Sequence, residues 1–518
     1  MQSKSLIKSA RVIGLATLAS RILGFTRDVI IAKLFGTGVR AQAFVVAFRI
    51  PNLLRRLVGE GSTNSAVVPV LARLHQQDRH HEFWQVAGCL LNVLLVFLAV
   101  LTLLGELFAP YIVRILAPGF MQDPAKLDLT IRMTRFMFPY LLLVGLSAYA
   151  MAVLNSLKHF SLPALAPCML NISLIVASLL LCPRLAEPVD GLAWGVLIGG
   201  FLQLAIQVPL LIKKGLFKEK SSGFIHPRVK EIGRLFLPRT LGIAVYQANI
   251  FIDSILASLA WIAGQGAVAA LYFASRLVQF PLALFGLALA QVVLPALSGM
   301  AAQKDFVQLK NTVSFSLRSV LIMMVPATVG MMVLARPLIY ILFERGSFSS
   351  YSTDMTAAVL LFYCLGLTCY AGIKILASCF YSLKDTFTPV KIAFFSLLIN
   401  LVLNLILMRP LQVAGLALAT AIAAGFNMLM LLSILSKKVG SFGELRPTLK
   451  KVIIAAFCMG AVIWFFFYQT QVLTATKLLL SVKLCISILL GISTYLAMLK
   501  IIDPEAAELF YRWILKRK

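Results

Sequence analysis

The sequence predicts an all-α polytopic membrane protein with about fourteen transmembrane helices, built as two six-helix lobes plus two C-terminal helices. Composition, the count of apolar stretches and an internal repeat of about 226 residues each point there. Of the 518 residues, 60% are hydrophobic and only 13% charged, with a mean hydropathy of +0.91. A water-soluble domain of this size needs far more charge to solvate its surface, so the solvent for most of this chain is lipid.

The formal net charge of +28 would suggest a nucleic-acid partner in a soluble protein, because Lys and Arg neutralise phosphates. In a polytopic protein, cytoplasmic loops collect the same residues for topological reasons, and nucleic acid is not an expected partner. The eight cysteines are scattered through apolar runs without a CxxC pair and read as small buried hydrophobes.

A helix needs about 20 mostly apolar residues to cross the hydrocarbon core. That rule gives spans near 11–34, 41–70, 86–108, 131–154, 162–182 and 190–212, then 235–258, 265–298, 313–334, 353–381, 388–408 and 413–434, and finally 452–469 and 478–500. An even number puts both termini on one side. Loops on that side carry about 27 Lys and Arg against about nine on the other, which makes the termini cytoplasmic. The first stretch follows Lys4, Lys8 and Arg11 and runs on into a charged helix, so it reads as a retained span rather than a cleaved leader. The expected location is the inner, cytoplasmic membrane of a bacterium.

Ser156-Leu157-Lys158 with Pro163 recurs as Ser382-Leu383-Lys384 with Pro389, 226 residues later. Arg49 and Arg276, Pro69 and Pro295, Pro110 and Pro337, Ile115-Leu116 and Ile341-Leu342, and Gly119 and Gly346 keep nearly the same offset. A repeat of six spans with a common starting side implies two parallel lobes, an architecture typical of transporters, with a cleft that can open to either face. The lobes are expected at 1–222 and 223–446, the two further spans at 447–501, and a basic cytoplasmic tail at 502–518.

Charges stand where lipid should exclude them. The first span contains Ser20, Arg21, Arg27 and Asp28, each ion costing about 2.5–3.5 kcal/mol at the bilayer centre. At about 100° per residue, Ser20 and Arg27 share one line of the helix and Arg21 and Asp28 another, giving one polar arc. The second span carries Arg49, Pro51, Arg55, Arg56 and Glu60, and the eighth adds Arg276. Arg49 and Arg56 have a second explanation, snorkelling to the headgroups from a helix end. Arg is a bidentate, permanently charged phosphate ligand, and Asp28 and Glu60 are too few to neutralise the set. Convergent arginines therefore call for an anionic passenger of diphosphate type.

Asp253 in the seventh span, Asn400 and Asn404 one turn apart in the eleventh, and Thr420 in the twelfth offer oxygen ligands suited to a hard cation such as Na+. The alternative is an Asp253 that is protonated or hydrogen-bonded to Asn249. No GxxxxGK[ST] nucleotide loop occurs, so an ion gradient or the membrane potential is the expected driving force, without a bound cofactor.

The runs Ser20-Arg21-Ile22-Leu23-Gly24-Phe25-Thr26-Arg27-Asp28, Ala47-Phe48-Arg49-Ile50-Pro51-Asn52-Leu53-Leu54-Arg55-Arg56 and Glu60-Gly61 resemble the MurJ (MviN) family. The likeness continues through Ala117-Pro118-Gly119-Phe120, Tyr272-Phe273-Ala274-Ser275-Arg276-Leu277 and Phe380-Tyr381-Ser382-Leu383-Lys384-Asp385. The resemblance implies a member of the multidrug/oligosaccharidyl-lipid/polysaccharide (MOP) exporter superfamily that flips lipid II, the undecaprenyl-diphosphate peptidoglycan precursor, by alternating access. It also implies that Ser20, Arg21, Arg27, Arg55 and Arg276 match cavity positions, and that lipid II and membrane lipids are the partners of a monomer, with peptidoglycan-synthesis enzymes as neighbours. Three positions depart from the family pattern: Gln42, Ser275 and Gln279 stand where acids are common, which makes the site more cationic.

Two uses are expected of the final spans: walls of a groove for the polyprenyl tail, or a plain peripheral pair. Rival functions are export of another lipid-linked oligosaccharide, a MATE-like exporter, or a membrane-embedded lipid-diphosphate enzyme. Drug exporters usually take cations, for which arginines have the wrong sign. An enzyme needs an acid, base or metal cluster near the arginines, whereas all five histidines fall in loops or near span ends.

Overall fold

Backbone amides cannot be left unpaired in lipid, and every regular element among the described residues is a helix. The computed structural model describes residues 2–55, 64–216, 223–469 and 476–515, with the side chains of 2–13, 54, 55, 64, 65, 235–246, 509 and 511–515 outside the description. The chain divides into two compact units, Met1–Leu259 and Ala260–Lys518.

The first unit comprises α1 (Gln2–Phe35), α2 (Val39–Arg55), α3 (Asn64–Gln76), α4 (His80–Leu116), α5 (Pro124–Met137), α6 (Tyr140–Ser156), α7 (Ser161–Leu180), α8 (Asp190–Ala205), α9 (Val208–Lys214) and α10 (Pro227–Ser258). The tightest pairing is α7 on α8, with α1 laid along the other side of α7. Its cause is legible in α8, where Gly191, Gly195 and Gly199 recur every fourth residue. A Cβ on Gly195 would lie 2.8 Å from the Ala177 Cβ, and one on Gly199 2.9 Å from the Leu170 backbone. Small residues on one face let backbones approach where lipid offers no hydrophobic drive, and Ser173 Oγ donates to Gly195 O at 2.8 Å across the seam. A separate core gathers Val70, Leu71, Leu74, Phe83, Tyr149 and Val153 from α3, α4 and α6, and α10 packs against α3 and α4.

The second unit comprises α11 (Ala260–Ala263), α12 (Ala267–Pro281), α13 (Ala288–Ala302), α14 (Phe306–Val333), α15 (Ala335–Phe343), α16 (Ser350–Leu365), α17 (Leu367–Ser382), α18 (Phe387–Val439), α19 (Leu445–Trp464), α20 (Lys477–Ile502) and α21 (Pro504–Leu515). The helix α18 is two arms joined at Gln412, whose φ of 51° and ψ of −136° break the helical path. Gly415 permits the bend, since a Cβ there would sit 2.2 Å from Leu407 O. The last two long helices are welded to this unit: Val452, Ala455 and Met459 of α19 and Tyr495 and Leu499 of α20 pack on Ile322 of α14, and Tyr495 Oη donates to Ile322 O at 2.8 Å.

The repeat reappears in the backbone. Asp78 and Lys304 have φ of 54° and 57°, and Lys158 and Lys384 both have 61°; each pair is 226 residues apart. The amide that follows each of these four residues donates to the carbonyl five positions earlier, Arg79 to Leu74, Asp305 to Met300, His159 to Leu154 and Asp385 to Phe380, at 2.9–3.1 Å. These are left-handed helix caps, occupied by residues that pay a steric penalty there.

Among the described residues, nine helices are long and apolar enough to cross a membrane, or ten if the pair α16 and α17, bent by 42°, is one span. The expected fourteen is a larger number than that. The helices α1, α2 and α10 are not among the nine. Arg21, Arg27, Asp28 and Lys33 interrupt α1, and α2 is only 17 residues long. The expected second span, 41–70, is represented by α2 and the first half of α3, with 56–63 outside the described residues.

Candidate functional site

Arg27 is 7% exposed and Asp28 2%, although both belong to the first long helix. The pair closes on itself: Arg27 Nε and Nη2 donate to Asp28 Oδ1 at 3.0 and 2.7 Å. The third contact crosses to α7, where Asn171 Oδ1 accepts from Arg27 Nη1 at 2.9 Å. Asn171 Nδ2 in turn donates to Ser20 O at 3.0 Å and reaches Ser20 Oγ at 3.4 Å. Ser20 and Arg27, two turns apart on one line of α1, thus meet the same amide. Arg21 lies elsewhere on the helix, is exposed, and makes no ion pair among the described residues. Asn171 was not singled out in the sequence; its signal is a lone amide in the otherwise apolar run after Pro167.

On α2, Gln42 is buried and bridges two elements. Its Nε2 donates to Thr37 O at 3.2 Å, and its Oε1 accepts from Lys126 Nζ at 3.1 Å. Lys126 is 4% exposed and its ammonium sits 3.8 Å from the centroid of Phe120. A buried cation here is met by an amide and a ring face where a carboxylate would be the usual partner. Seven residues along, half-buried Arg49 extends Nη1 to Ile250 O of α10 at 3.5 Å, a long contact. Arg55 ends α2 with its side chain outside the description, and Arg56 and Glu60 lie outside the described residues.

In the second unit Arg276 is partly buried on α12 and stacks on Tyr272 one turn earlier, with Cζ 4.6 Å from the ring centroid and Nη2 donating to Tyr272 Oη at 3.0 Å. Tyr272 thus meets the guanidinium through both its ring face and its hydroxyl, which restricts the orientation of the side chain. The tyrosine is a positioning residue that the sequence showed only as part of a motif.

Of the expected cation ligands, Asp253 is buried on α10 in the first unit, while Asn400, Asn404 and Thr420 share the second. There they form a chain across the bend of α18. Asn404 Nδ2 donates to Asn400 Oδ1 at 2.9 Å, Asn400 Nδ2 to Thr420 Oγ1 at 3.2 Å, and Thr420 Oγ1 to Leu416 O at 3.0 Å. No group of three or more His, Cys, Asp and Glu gathers to hold a metal among the described residues.

The family model described as lipid II flippase MurJ matches residues 31–483. A protein named lipid II flippase MurJ from Burkholderia cenocepacia is 37% identical over 455 residues, 86% of this chain and 88% of its own length. A probable lipid II flippase MurJ from Buchnera aphidicola is 33% identical over 511 residues, 98% and 99% of the two chains. Among solved structures, one of a lipid II flippase MurJ in an inward closed conformation matches with a TM-score of 0.80 and 28% identity, covering 96% of this chain and 98% of that one. An inward-facing multidrug resistance MATE family transporter of the MOP superfamily shares the fold, with a TM-score of 0.65 at 15% identity over 84% of this chain and 99% of its own. A match over most of the length, in sequence and in fold, places this chain in the lipid II flippase MurJ family.

Proposed function

We propose that this protein is a transporter that moves lipid II from the cytoplasmic to the periplasmic leaflet of the bacterial inner membrane, supplying peptidoglycan synthesis. The carrying observation is a permanently charged guanidinium buried on the first long helix of a MurJ-family chain: Arg27, clamped by Asp28 and Asn171. Such a group is costly in lipid and earns its place by function. Arg276 on its tyrosine platform, with Arg21 and Arg55, supplies further guanidinium forks suited to a diphosphate. In this reading Ser20, Gln42 and Arg49 are further candidates for headgroup contact, Arg56 and Glu60 remain candidates on their sequence alone, and the polyprenyl tail stays in lipid.

The headgroup is exposed to one face and then the other. Moving an anion outward across an inside-negative membrane is favourable by about 2.3 kcal/mol per charge per 100 mV, so the potential drives export without nucleotide hydrolysis. Na+ is the proposed coupling ion, with Asp253 in the first unit and Asn400, Asn404 and Thr420 in the second as separate candidate ligands. Asp253→Asn then removes sodium dependence, and unaltered dependence would remove the cation site. Both termini are taken as cytoplasmic, from the Lys and Arg bias of the loops.

Depletion of the protein in its host, followed by probing the leaflet in which lipid II accumulates, tests the whole. Lipid II should become trapped on the cytoplasmic side. Undiminished periplasmic access would overturn the assignment.

A further inference from the structure

Three helices of the first unit build a groove of about 960 Å³ on the surface of that unit, remote in sequence from the Arg27 cluster. Each contributes a stripe at helical spacing: Leu103, Glu106 and Leu107 from α4, Asp128, Arg132 and Arg135 from α5, and Trp194 and Leu197 from α8. The stripes sort by chemistry. Leu103 and Leu107 are 65% and 66% exposed and Phe136 packs edge-on against Trp194 at 4.9 Å, forming an apolar wall open to lipid. Charges of both signs share the rest of the lining.

No ion pair joins those side chains to one another among the described residues. Arg132 Nη2 pairs with Asp190 at 3.1 Å, outside the lining, and Arg135 Nε donates to the backbone oxygen of Glu106 at 3.3 Å. The carboxylates of Glu106 and Asp128 make no ion pair among the described residues. Ionised carboxylates beside a lipid-exposed wall are expensive unless a cation meets them. Two carboxylates, two guanidinium forks and an apolar wall are complementary to an amphiphile that carries an ammonium, a phosphate and acyl chains together. Trp194 is the residue type that marks the headgroup level of a bilayer.

We propose that this groove binds a zwitterionic phospholipid with an ethanolamine headgroup. Its ammonium is met by Glu106 and Asp128, its phosphate by Arg132 and Arg135, and its chains by Leu103, Leu107 and Phe136. A choline headgroup carries the same charge but no N–H donors, and a glycerol headgroup carries no cation, so both are discriminated against.

The test is native mass spectrometry of the full-length, delipidated protein with an equimolar mixture of chain-matched phosphatidylethanolamine, phosphatidylcholine and phosphatidylglycerol. The wild-type protein should retain the ethanolamine lipid about tenfold over the choline lipid, the ratio expected for one charge-assisted hydrogen-bond set. Glu106→Gln with Asp128→Asn should bring that ratio to about one, and Arg132→Gln with Arg135→Gln should weaken both lipids together. All four sites are on the surface, and unchanged thermal unfolding certifies that each variant is folded; should the double carboxylate variant misfold, Glu106→Gln alone carries the measurement. Equal retention of the three lipids by the wild-type protein, preference for the glycerol lipid, or an ethanolamine preference that survives loss of both carboxylates would overturn the proposal.

Discussion

Asp28→Asn isolates the energetic problem at the centre of the first long helix. In the native chain the Arg27 guanidinium spends two donors on Asp28 and one on Asn171, and both members of the ion pair are almost fully buried. The amide of the variant preserves size and still offers one oxygen, but it removes the compensating charge. Stripping one partner from a buried pair costs roughly 3–5 kcal/mol, and the surviving Asn171 contact places the expected loss near about 3 kcal/mol. The double variant Arg27→Met with Asp28→Asn removes the remaining cation too, and should unfold later than Asp28→Asn alone. Function separates the same variants: both should fail to restore periplasmic lipid II in a depleted strain, the double variant despite its recovered stability. Thermal unfolding in detergent with complementation reads both quantities. A double variant no more stable than Asp28→Asn would refute the view that Asp28 is there to neutralise Arg27, and full complementation by it would remove Arg27 from the headgroup site.

Gln42→Glu gives Lys126 Nζ a carboxylate in place of the amide oxygen now at 3.1 Å and gives up the Nε2 donation to Thr37 O, so its effect on the unfolding temperature should be more favourable by about 1 kcal/mol with Lys126 present than in a Lys126→Met background; equal effects in the two backgrounds would refute the charge contact. Gly415→Ala should destabilise by about 3 kcal/mol or more, since its Cβ would meet Leu407 O at 2.2 Å and straighten α18, and wild-type stability would show that the bend is not obligatory. The Lys438 ammonium, 2.5 Å away, with help from Thr388, holds Asp385 down to about 2 from the ordinary 3.8. A depressed carboxylate stabilises fully above its unfolded value and loses that contribution as pH falls through its folded one. Asp385→Asn should therefore cost about 1–2 kcal/mol at pH 7 and progressively less as pH falls from about 4 through 2, and a pH-independent difference would refute the ion pair. Tyr272→Phe should keep the ring under Arg276 but free its Nη2, lowering transport less than Arg276→Gln does; equal losses would show that the hydroxyl, not the ring, positions the guanidinium.

Much of the architecture was written in local pattern. Apolar runs and the Ser-Leu-Lys…Pro repeat predict helices and duplication because lipid demands both continuous apolar length and internally paired backbone. The repeated turns confirm how local that information is: Asp78, Lys158, Lys304 and Lys384 adopt the same left-handed caps 226 residues apart. The two counts of spans part at α1 and α2, where charge and apolarity compete, because length and hydropathy do not distinguish a polar residue facing lipid from one facing another helix.

The sequence by itself determined that the chain is helical, duplicated and membrane-bound, and singled out Arg21, Arg27, Arg55 and Arg276 as charges in apolar surroundings, since each of these follows from near neighbours and composition. Tertiary structure decided the partners. Asn171, 144 residues from Arg27, Lys126, 84 residues from Gln42, and Thr420, 20 residues from Asn400, meet those residues only after helices pack. A side chain's cost in a membrane depends on what stands opposite it, and that is a property of the folded chain alone.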